Sequence, residues 1–190
     1  MLVTYVQLMN LLIGVTGSVA AIKLNELIQC IKERRPDVHI KVILTPRALQ
    51  FVNQLDIQAE AVFSDEHEWT AWKKKGDPVL HIELRKWAHV LLIAPLSANT
   101  LAKIANGICD NLLTSVVRAW DTDKKLILCP AMNTFMWGNP LTRRQLDSAR
   151  EVYGTEVIEP KTDSVLACGD QGAGAMADVR TICERILKLS

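Results

Sequence analysis

The segment NLLIGVTGSVAAIK, residues 10–23, decides the fold. Its first half, residues 10–16, is almost wholly apolar, which is typical of a strand buried on both faces of a parallel sheet. Gly14 and Gly17 allow a tight turn after this strand, and Ser18 can cap the helix that follows. The first amides of a helix are unpaired donors at the positive end of its dipole, so this turn suits a phosphate group.

Apolar strands alternate with helical stretches along the rest of the chain. Further strands are predicted at residues 38–45, 88–95, 124–130 and, in short form, 155–159. Helices are predicted at 18–32, from about Pro46, at 100–120 with a break near Gly107, at 139–153 and from about Asp178. This alternation predicts an α/β fold with a doubly wound parallel sheet, which binds its ligand outside the carboxyl ends of the strands. We expect a single domain over residues 1–190, with 65–80 as a long and functional connection.

Composition restricts the classes of partner. The chain has 190 residues, 49% apolar and 23% charged, with 22 basic and 21 acidic side chains. It lacks the clustered basic excess of a nucleic-acid-binding surface, and its apolar runs are far below the ~20 residues of a membrane span. The N-terminus has no basic segment of the kind that begins a signal peptide. Five cysteines without a CxxC pair argue against a disulfide framework or a metal site, so we expect a cytoplasmic protein without a bound metal.

The turns after the first two strands favour a mononucleotide over a dinucleotide. GVTGSV is not the GxGxxG fingerprint, and no acidic residue follows the second strand to bind an adenosine ribose. Thr45 and Arg47 provide a hydroxyl and a cation there instead. On the first turn alone, a capped helix without a ligand is an equally good interpretation.

Two further strand ends carry groups that can bind the same ligand. APLSANT follows the third strand, where Ser97, Asn99 and Thr100 can hydrogen-bond a polar ring edge or a phosphate. CPAMNTFMW follows the fourth strand and adds small and amide-bearing residues. One such end can be a helix cap alone, whereas three together favour a shared ligand.

Five separated motifs resemble one family. PAMNTFMW matches the P-x-M-N-x-x-M-W signature of the homo-oligomeric flavin-containing cysteine decarboxylases. GSVAAIK, DPVLHIELRKWA, APLSANTLAKIANGICDNLL and ACGDQGAGAMAD resemble its phosphopantothenoylcysteine decarboxylase branch. The motifs occur in the family's order and extend from about Leu11 to Leu187. The resemblance implies a Rossmann- or flavodoxin-like flavoprotein with FMN as its cofactor.

The same resemblance implies an activity and an assembly. Family members decarboxylate 4'-phospho-N-pantothenoylcysteine to 4'-phosphopantetheine in coenzyme A biosynthesis. They oxidise the cysteine moiety transiently to a thioaldehyde, from which CO2 leaves, and then return the electrons to the product. They are homo-oligomers, typically trimers, with FMN and substrate at the contacts between subunits.

Carried onto this sequence, the resemblance implies roles for individual residues. His81 would be the catalytic histidine, and Cys168 would donate a proton from a mobile flap at about 160–177. The substrate would contact Met132, Asn133 and Ala167. The FMN site would consist of Ser18, Val19, Ala20, Thr45, Arg47, Ser97, Ala98, Asn99, Thr100 and Ala131. The sequence departs from some family members at Val165, where they have a basic residue three positions before the flap cysteine.

Each of these residues also has a purely structural interpretation. His81 can be a buried histidine, Asn133 can cap a helix, and Cys168 can be a small residue that packs the flap. Met132, Met136 and Trp137 are expected to pack against the ring system or a neighbouring subunit, and His67 and His89 to lie at the surface and at a strand edge. Small buried hydrophobic roles are expected for Cys30, Cys109, Cys129 and Cys183.

Three other functions fit parts of the sequence. A relative that decarboxylates the C-terminal cysteine of a peptide is the nearest enzymatic alternative. A non-catalytic regulatory subunit, like the phosphatase inhibitors among fungal relatives, would carry an acidic extension, and this sequence has no acidic run. A flavodoxin-like electron carrier would have no use for His81, Asn133 and Cys168 together.

Overall fold

Six parallel strands form the central sheet of the computed structural model, which describes residues 8–166, 169 and 171–189. The strands are β1 (Asn10–Val15), β2 (His39–Leu44), β3 (Ala61–Phe63), β4 (Val90–Leu96), β5 (Lys125–Pro130) and β6 (Glu156–Val157). Their spatial order is β3-β2-β1-β4-β5-β6, with every neighbouring pair parallel. This is the doubly wound Rossmann order, which reverses direction between β1 and β4. The predicted fold class is confirmed.

Helices cover the two faces of this sheet. They are α1 (Leu24–Arg34), α2 (Asp65–Ala71), α3 (Leu80–Trp87), α4 (Ala98–Ala105), α5 (Leu112–Arg118), α6 (Thr134–Trp137), α7 (Pro140–Tyr153) and α8 (Val179–Leu187). Short 3-10 helices span Val19–Lys23, Ala48–Gln50 and Gln54–Asp56. A separate antiparallel ribbon pairs β7 (Ser164–Val165) with β8 (Gln171–Gly172). No helix in the described part of the chain is long and apolar enough to cross a membrane.

The strand residues alternate between two cores. Leu11 and Ile13 of β1 face one side of the sheet, where they pack with α1 and α8. Leu12 faces the other side and packs with α3, α4, α5 and α7, as does Ile93 of β4. All four side chains are completely buried. Because both faces are covered, the strands are apolar at most positions rather than at alternate ones, as the sequence indicated.

The predicted secondary structure agrees best with the observed elements where the apolar runs are long. The strands after residues 10, 38, 88 and 124 are confirmed, as is the break in the helix near Gly107, whose φ of +69° is left-handed. The helix expected from Pro46 is wrong, since only a 3-10 turn forms there. The connection expected at 65–80 is wrong in part: it contains α2, and β3 forms just before it.

The burial expected for the four cysteines and the exposure expected for His67 and His89 can be compared with the structure. Cys129 and Cys183 are buried, and burial raises the pKa of the Cys183 thiol to about 12. Cys109 is exposed, so its expected buried role is wrong: α4 ends at Ala105 and leaves Cys109 in a loop. Cys30 is only partly buried. His67 lies at the surface and completes the capping box of α2, and His89, also exposed, accepts a hydrogen bond from the Asn10 N–H at 3.0 Å.

Candidate functional site

A cavity of about 490 Å³ lies at the carboxyl ends of β1, β2, β4 and β5. This is the position where an open α/β sheet binds its ligand. Its walls combine hydroxyls, amides and charged groups with a few small apolar side chains. They consist of Gly17, Ser18, Thr45, Pro46, Arg47, Asp65, Ser97, Ala98, Asn99, Thr100, Lys103, Asp110, Asn111, Ala131, Met132 and Met136. The structure therefore brings together the predicted FMN residues except Val19 and Ala20, which line a neighbouring cavity.

The buried hydroxyl of Thr16 joins two walls of this first cavity. Thr16 Oγ1 donates to the carbonyl of Pro95 at 2.8 Å and accepts from the Ser97 N–H at 2.8 Å. The Thr16 N–H donates to the same Pro95 carbonyl at 3.2 Å. Thr16 is completely inaccessible to solvent, so these bonds have no competition from water. They hold the turn after β1 against the turn after β4.

Thr45 has a similar role on the other side of β1. Its hydroxyl donates to the Val15 carbonyl at 3.2 Å, and its N–H donates to that carbonyl at 3.0 Å. The side chain is only 6% exposed, although it borders the cavity. Thr45 thus fixes the turn after β2, and the cation that this turn presents is Arg47.

Gly17 lets these turns approach each other closely. A Cβ at this position would lie 2.6 Å from Cβ of Arg47, which is closer than two such carbons come in proteins. Arg47 is exposed, and the structure records no ion-pair partner for it among the described residues. Lys103, the other cation of the cavity, donates to both carboxylate oxygens of Asp110, at 2.8 and 2.6 Å. Arg47 is therefore the cation that can meet a bound anion.

Two helix starts point into the first cavity. Ser97 caps α4, and its hydroxyl accepts from the Thr100 N–H at 3.3 Å. The first-turn amides of Ala98 and Asn99 have no acceptor within the helix, as at every helix start. Ser18 caps the 3-10 helix after β1 by accepting from the Ala20 N–H at 3.4 Å. Amide donors, hydroxyls and a free cation at one end form a cradle of the type that binds a phosphate.

A second cavity of about 390 Å³ adjoins the first and shares Ser18, Ala131 and Met132 with it. Asn133 lines this second cavity together with two cations, Lys23 and Lys161. Its remaining walls are Val19, Ala20, Ile22, Ser164, Val165, Leu166, Gly174, Ala175 and Met176. The predicted substrate residues Met132 and Asn133 thus lie beside the predicted cofactor residues.

The glycine-rich segment closes one side of the second cavity. Gly174 accepts a hydrogen bond from the Met132 N–H at 2.9 Å and has a φ of +118°. A Cβ there would lie 2.4 Å from the Met132 carbonyl oxygen, and one at Gly172 would lie 2.5 Å from Thr134 Oγ1. Close packing against residues 132–134 therefore explains both glycines. Ala167 and Cys168, predicted to contact the substrate and to donate a proton, lie outside the described residues.

Asn133 has the structural role that the sequence left open. Its side-chain oxygen accepts from the Phe135 N–H at 2.8 Å and so caps the short helix α6. The residue also borders the second cavity. The cap uses the amide oxygen as its acceptor, and the amide nitrogen of this side chain can act only as a donor.

His81 lies on α3, apart from the two cavities, neither of which it lines. Its ring nitrogen Nδ1 is 2.6 Å from Oε1 of Glu68, and its backbone N–H donates to Oε2 of Glu68 at 3.1 Å. The side chain is 27% exposed, so it is not the enclosed core histidine of the structural interpretation. One chain therefore does not bring His81 to the residues predicted to bind FMN.

The flavoprotein family matches residues 5–190 of the chain. This chain belongs to that family. It is 49% identical to the mouse phosphopantothenoylcysteine decarboxylase over 177 aligned residues. The aligned region covers 93% of this chain and 85% of the mouse protein.

Two solved structures are similar in fold as well as sequence. A mutant PPC decarboxylase complexed with pantothenoylaminoethenethiol has a TM-score of 0.88 at 48% identity, over 94% of this chain and 96% of its own. The FMN binding protein AtHal3 has a TM-score of 0.86 at 49% identity, over 95% of this chain and 96% of its own.

Sequence reasoning missed several residues of the flavoprotein's site. Thr16 was assigned only to a strand, and no local pattern distinguishes it from other buried threonines. Lys23 lies within the GSVAAIK motif, five residues after Ser18, and no role was predicted for it. Others that border the cavities are Asp65, Lys103, Asp110, Asn111 and Lys161.

Replacing Thr16 by valine tests the link between the two turns. Thr16→Val keeps the shape but removes the donor to Pro95 and the acceptor for Ser97, so we expect a loss of about 1–3 kcal/mol in the free energy of unfolding. Displacement of the Ser97 turn should also weaken FMN binding by roughly tenfold. Urea unfolding and flavin fluorescence titration measure the two effects. Thr16→Ser, which retains the hydroxyl, is the matched control, and equal behaviour of the two variants would contradict this role.

Proposed function

We propose that this flavoprotein is an FMN-dependent phosphopantothenoylcysteine decarboxylase. It would convert 4'-phospho-N-pantothenoylcysteine to 4'-phosphopantetheine, a step of coenzyme A biosynthesis. The observation that carries the proposal is the junction of the two cavities at Ser18, Ala131 and Met132, with phosphate-binding groups on one side and an amide and two cations on the other. The mouse relative named above, similar over nearly the whole chain, supports the same assignment.

The first cavity fits FMN. Its volume of about 490 Å³ lies in the range of cofactor pockets, and the cradle around Ser18, Arg47 and Ser97 matches a single phosphate. Ala131, Met132 and Met136 provide a less polar region for a ring system. Bound FMN supplies a reversible acceptor for a hydride from the carbon that carries sulfur. The chain's own contribution is to hold cofactor and substrate side by side and to control the protons.

The second cavity suits a substrate with two anionic ends. The Asn133 amide can donate to a carboxylate without the strong stabilisation that a cation would give to the bound anion. Lys161 forms an ion pair with Asp178, whereas no ion-pair partner is recorded for Lys23 within the described part of the chain. Lys23 is therefore the group that can bind the substrate phosphate. Such a cation favours the phosphorylated substrate over a peptide, although Val165 stands where some relatives have a basic residue.

The position of His81 supports an active site that is shared between copies of the chain. His81 lines neither cavity, yet a catalytic histidine must reach the substrate. Exposed apolar side chains provide contact surfaces close to the site: Phe135 is 82% exposed, Met136 49% and Trp69 81%. Met136 borders the first cavity and Trp69 follows Glu68, the partner of His81. We propose a homotrimer with its active sites at the subunit contacts.

Cys168 completes the proposed mechanism as a proton donor. The enethiolate left after loss of CO2 must be protonated on carbon before it is reduced. A thiol with an ordinary pKa of about 8.5 is mostly protonated near neutral pH and can donate. Leu166, two residues before Cys168 in the sequence, is buried and borders the second cavity.

The His81→Asn variant tests the enzymatic proposal. We expect no CO2 release from phosphopantothenoylcysteine, because asparagine cannot exchange a proton near neutral pH. FMN should stay bound, since His81 does not line the cofactor cavity. A radiometric CO2 assay and the visible spectrum measure the two properties. His89→Asn, at an exposed position outside the site, should behave as the wild type; full turnover by His81→Asn would show that His81 is structural.

The Lys23→Gln variant tests recognition of the phosphate. We expect kcat/KM for phosphopantothenoylcysteine to fall about tenfold or more, since a charge-assisted hydrogen bond contributes roughly 1.5–3 kcal/mol. The dephosphorylated substrate should react equally with the variant and the wild type, because it has no group for Lys23 to bind. Lys188→Gln, at an exposed position after α8, is the control. An equal loss on both substrates would exclude phosphate binding by Lys23.

The proposed assembly has a direct test in light scattering. The flavoprotein should have a mass three times the 21.2 kDa of one chain at micromolar concentration. Replacing the exposed Phe135 by aspartate should shift the protein towards smaller species, because a charge would be buried in the contact. A fully active monomer would disprove the trimer.

A further inference from the structure

Both carboxylate oxygens of Glu68 contact the same residue, His81. Oε1 lies 2.6 Å from the imidazole Nδ1, and Oε2 accepts the His81 backbone N–H at 3.1 Å. The Glu68 side chain is only 11% exposed, against 27% for His81. The carboxylate is therefore shielded from water, while part of the imidazole remains accessible.

These two contacts determine how the imidazole is presented. A carboxylate can only accept hydrogen bonds, so Nδ1 must carry a proton to form the 2.6 Å contact. In the neutral ring the other nitrogen, Nε2, then has a free lone pair. The backbone bond adds a second constraint, because the His81 N–H belongs to the first turn of α3 and has no acceptor within that helix.

Hydrogen bonds at the start of helix α2, which carries Glu68, join this helix to neighbouring residues. Ser64 and His67 form a capping box at its start, with the Ser64 N–H donating to His67 Nδ1 at 3.1 Å. Asp65 Oδ1 accepts from the Leu112 N–H at 3.0 Å, which joins α2 to the start of α5. Asp65 also borders the first cavity. The pair of Glu68 and His81 is thus connected through α2 to the wall of the first cavity.

The other charged side chains of α3 have different partners. Glu83 pairs with Lys86 at 2.9 Å, and Arg85 lies 3.5 Å from Asp121. On α2, Glu66 is exposed and Asp65 is bonded to the start of α5. Within the described residues, Glu68 is therefore the acidic group that contacts the His81 ring.

We propose that Glu68 is a positioning residue for His81. It holds the proton on Nδ1 and presents Nε2 as the nitrogen that exchanges a proton with the substrate. The inference about orientation and tautomer stands on geometry alone, and its consequence for catalysis rests on the proposed function. Glu68 lies in the 65–80 segment, where the sequence predicted a functional connection without identifying a residue.

Nitrogen-15 NMR of the histidine side chains tests the tautomer. The four histidines of the chain give few signals, and His81→Asn identifies those of His81 by their loss. We expect the wild type to carry its ring proton on Nδ1, and Glu68→Gln to lose this preference, because an amide can donate as well as accept. A wild-type His81 with its proton on Nε2 would overturn the proposal without any activity measurement.

Kinetics of the same variants test the catalytic consequence. Glu68→Gln should lower kcat about tenfold or more, as removal of the outer partner of a functional histidine does elsewhere, with FMN content and KM unchanged. Glu68→Asp, which keeps the carboxylate, should retain the Nδ1 proton and recover part of the rate. Glu66→Gln, on the same helix and exposed, is the control and should match the wild type.

The outcomes separate this proposal from the proposed function. Loss of activity in Glu68→Gln with an unchanged tautomer would assign Glu68 a structural role, and wild-type kcat in that variant would exclude positioning. If the wild-type protein released no CO2 at all, the proposed function would fail, while the NMR result would still decide whether Glu68 sets the tautomer of His81.

Discussion

The buried hydroxyl of Thr16 is the interaction on which the cofactor cavity depends. It connects the ends of β1 and β4, the two strands between which the sheet reverses its order, through Pro95 and Ser97. Two backbone bonds continue this series: the Ala131 N–H donates to the Leu96 carbonyl at 2.9 Å, and the Met132 N–H donates to the Gly174 carbonyl at 2.9 Å. Side chain and backbone together thus join the first turn of the fold to the glycine-rich segment.

This construction separates two tasks within the chain. The sheet edge builds the cofactor cavity and the adjoining second cavity, which share the residues of the first and fourth strand ends. Glu68 lies on α2 and His81 on α3, and neither residue lines either cavity. A single chain thus holds the residues of the two cavities in one place and the pair of Glu68 and His81 in another. Under the proposed homotrimer, Glu68 and His81 of one copy would meet the cavities of another copy.

The sequence predicted what depends on local pattern. Long apolar runs and capping residues identified the parallel sheet and most of the cavity, because burial on both faces and helix caps leave a signature within a few residues. It failed where contacts are distant in sequence. Thr16 bonds to residues about 80 positions away, and Glu68 bonds to a histidine 13 positions away through a segment without clear periodicity. Pro46 suits a helix start, but the turn around Thr45 and Arg47 is held by β1 instead.

The most direct test of the account measures how much CO2 and phosphopantetheine the protein forms per flavin in the absence of oxygen. A decarboxylase that returns its electrons to the product consumes no external oxidant. Incubated anaerobically with excess phosphopantothenoylcysteine, the FMN-loaded protein should release many equivalents of CO2 per flavin and form an equal amount of phosphopantetheine, with the flavin oxidised at the end. Release of a single equivalent per flavin, with a product two hydrogens lighter, would contradict the account and assign the protein to net oxidative decarboxylation.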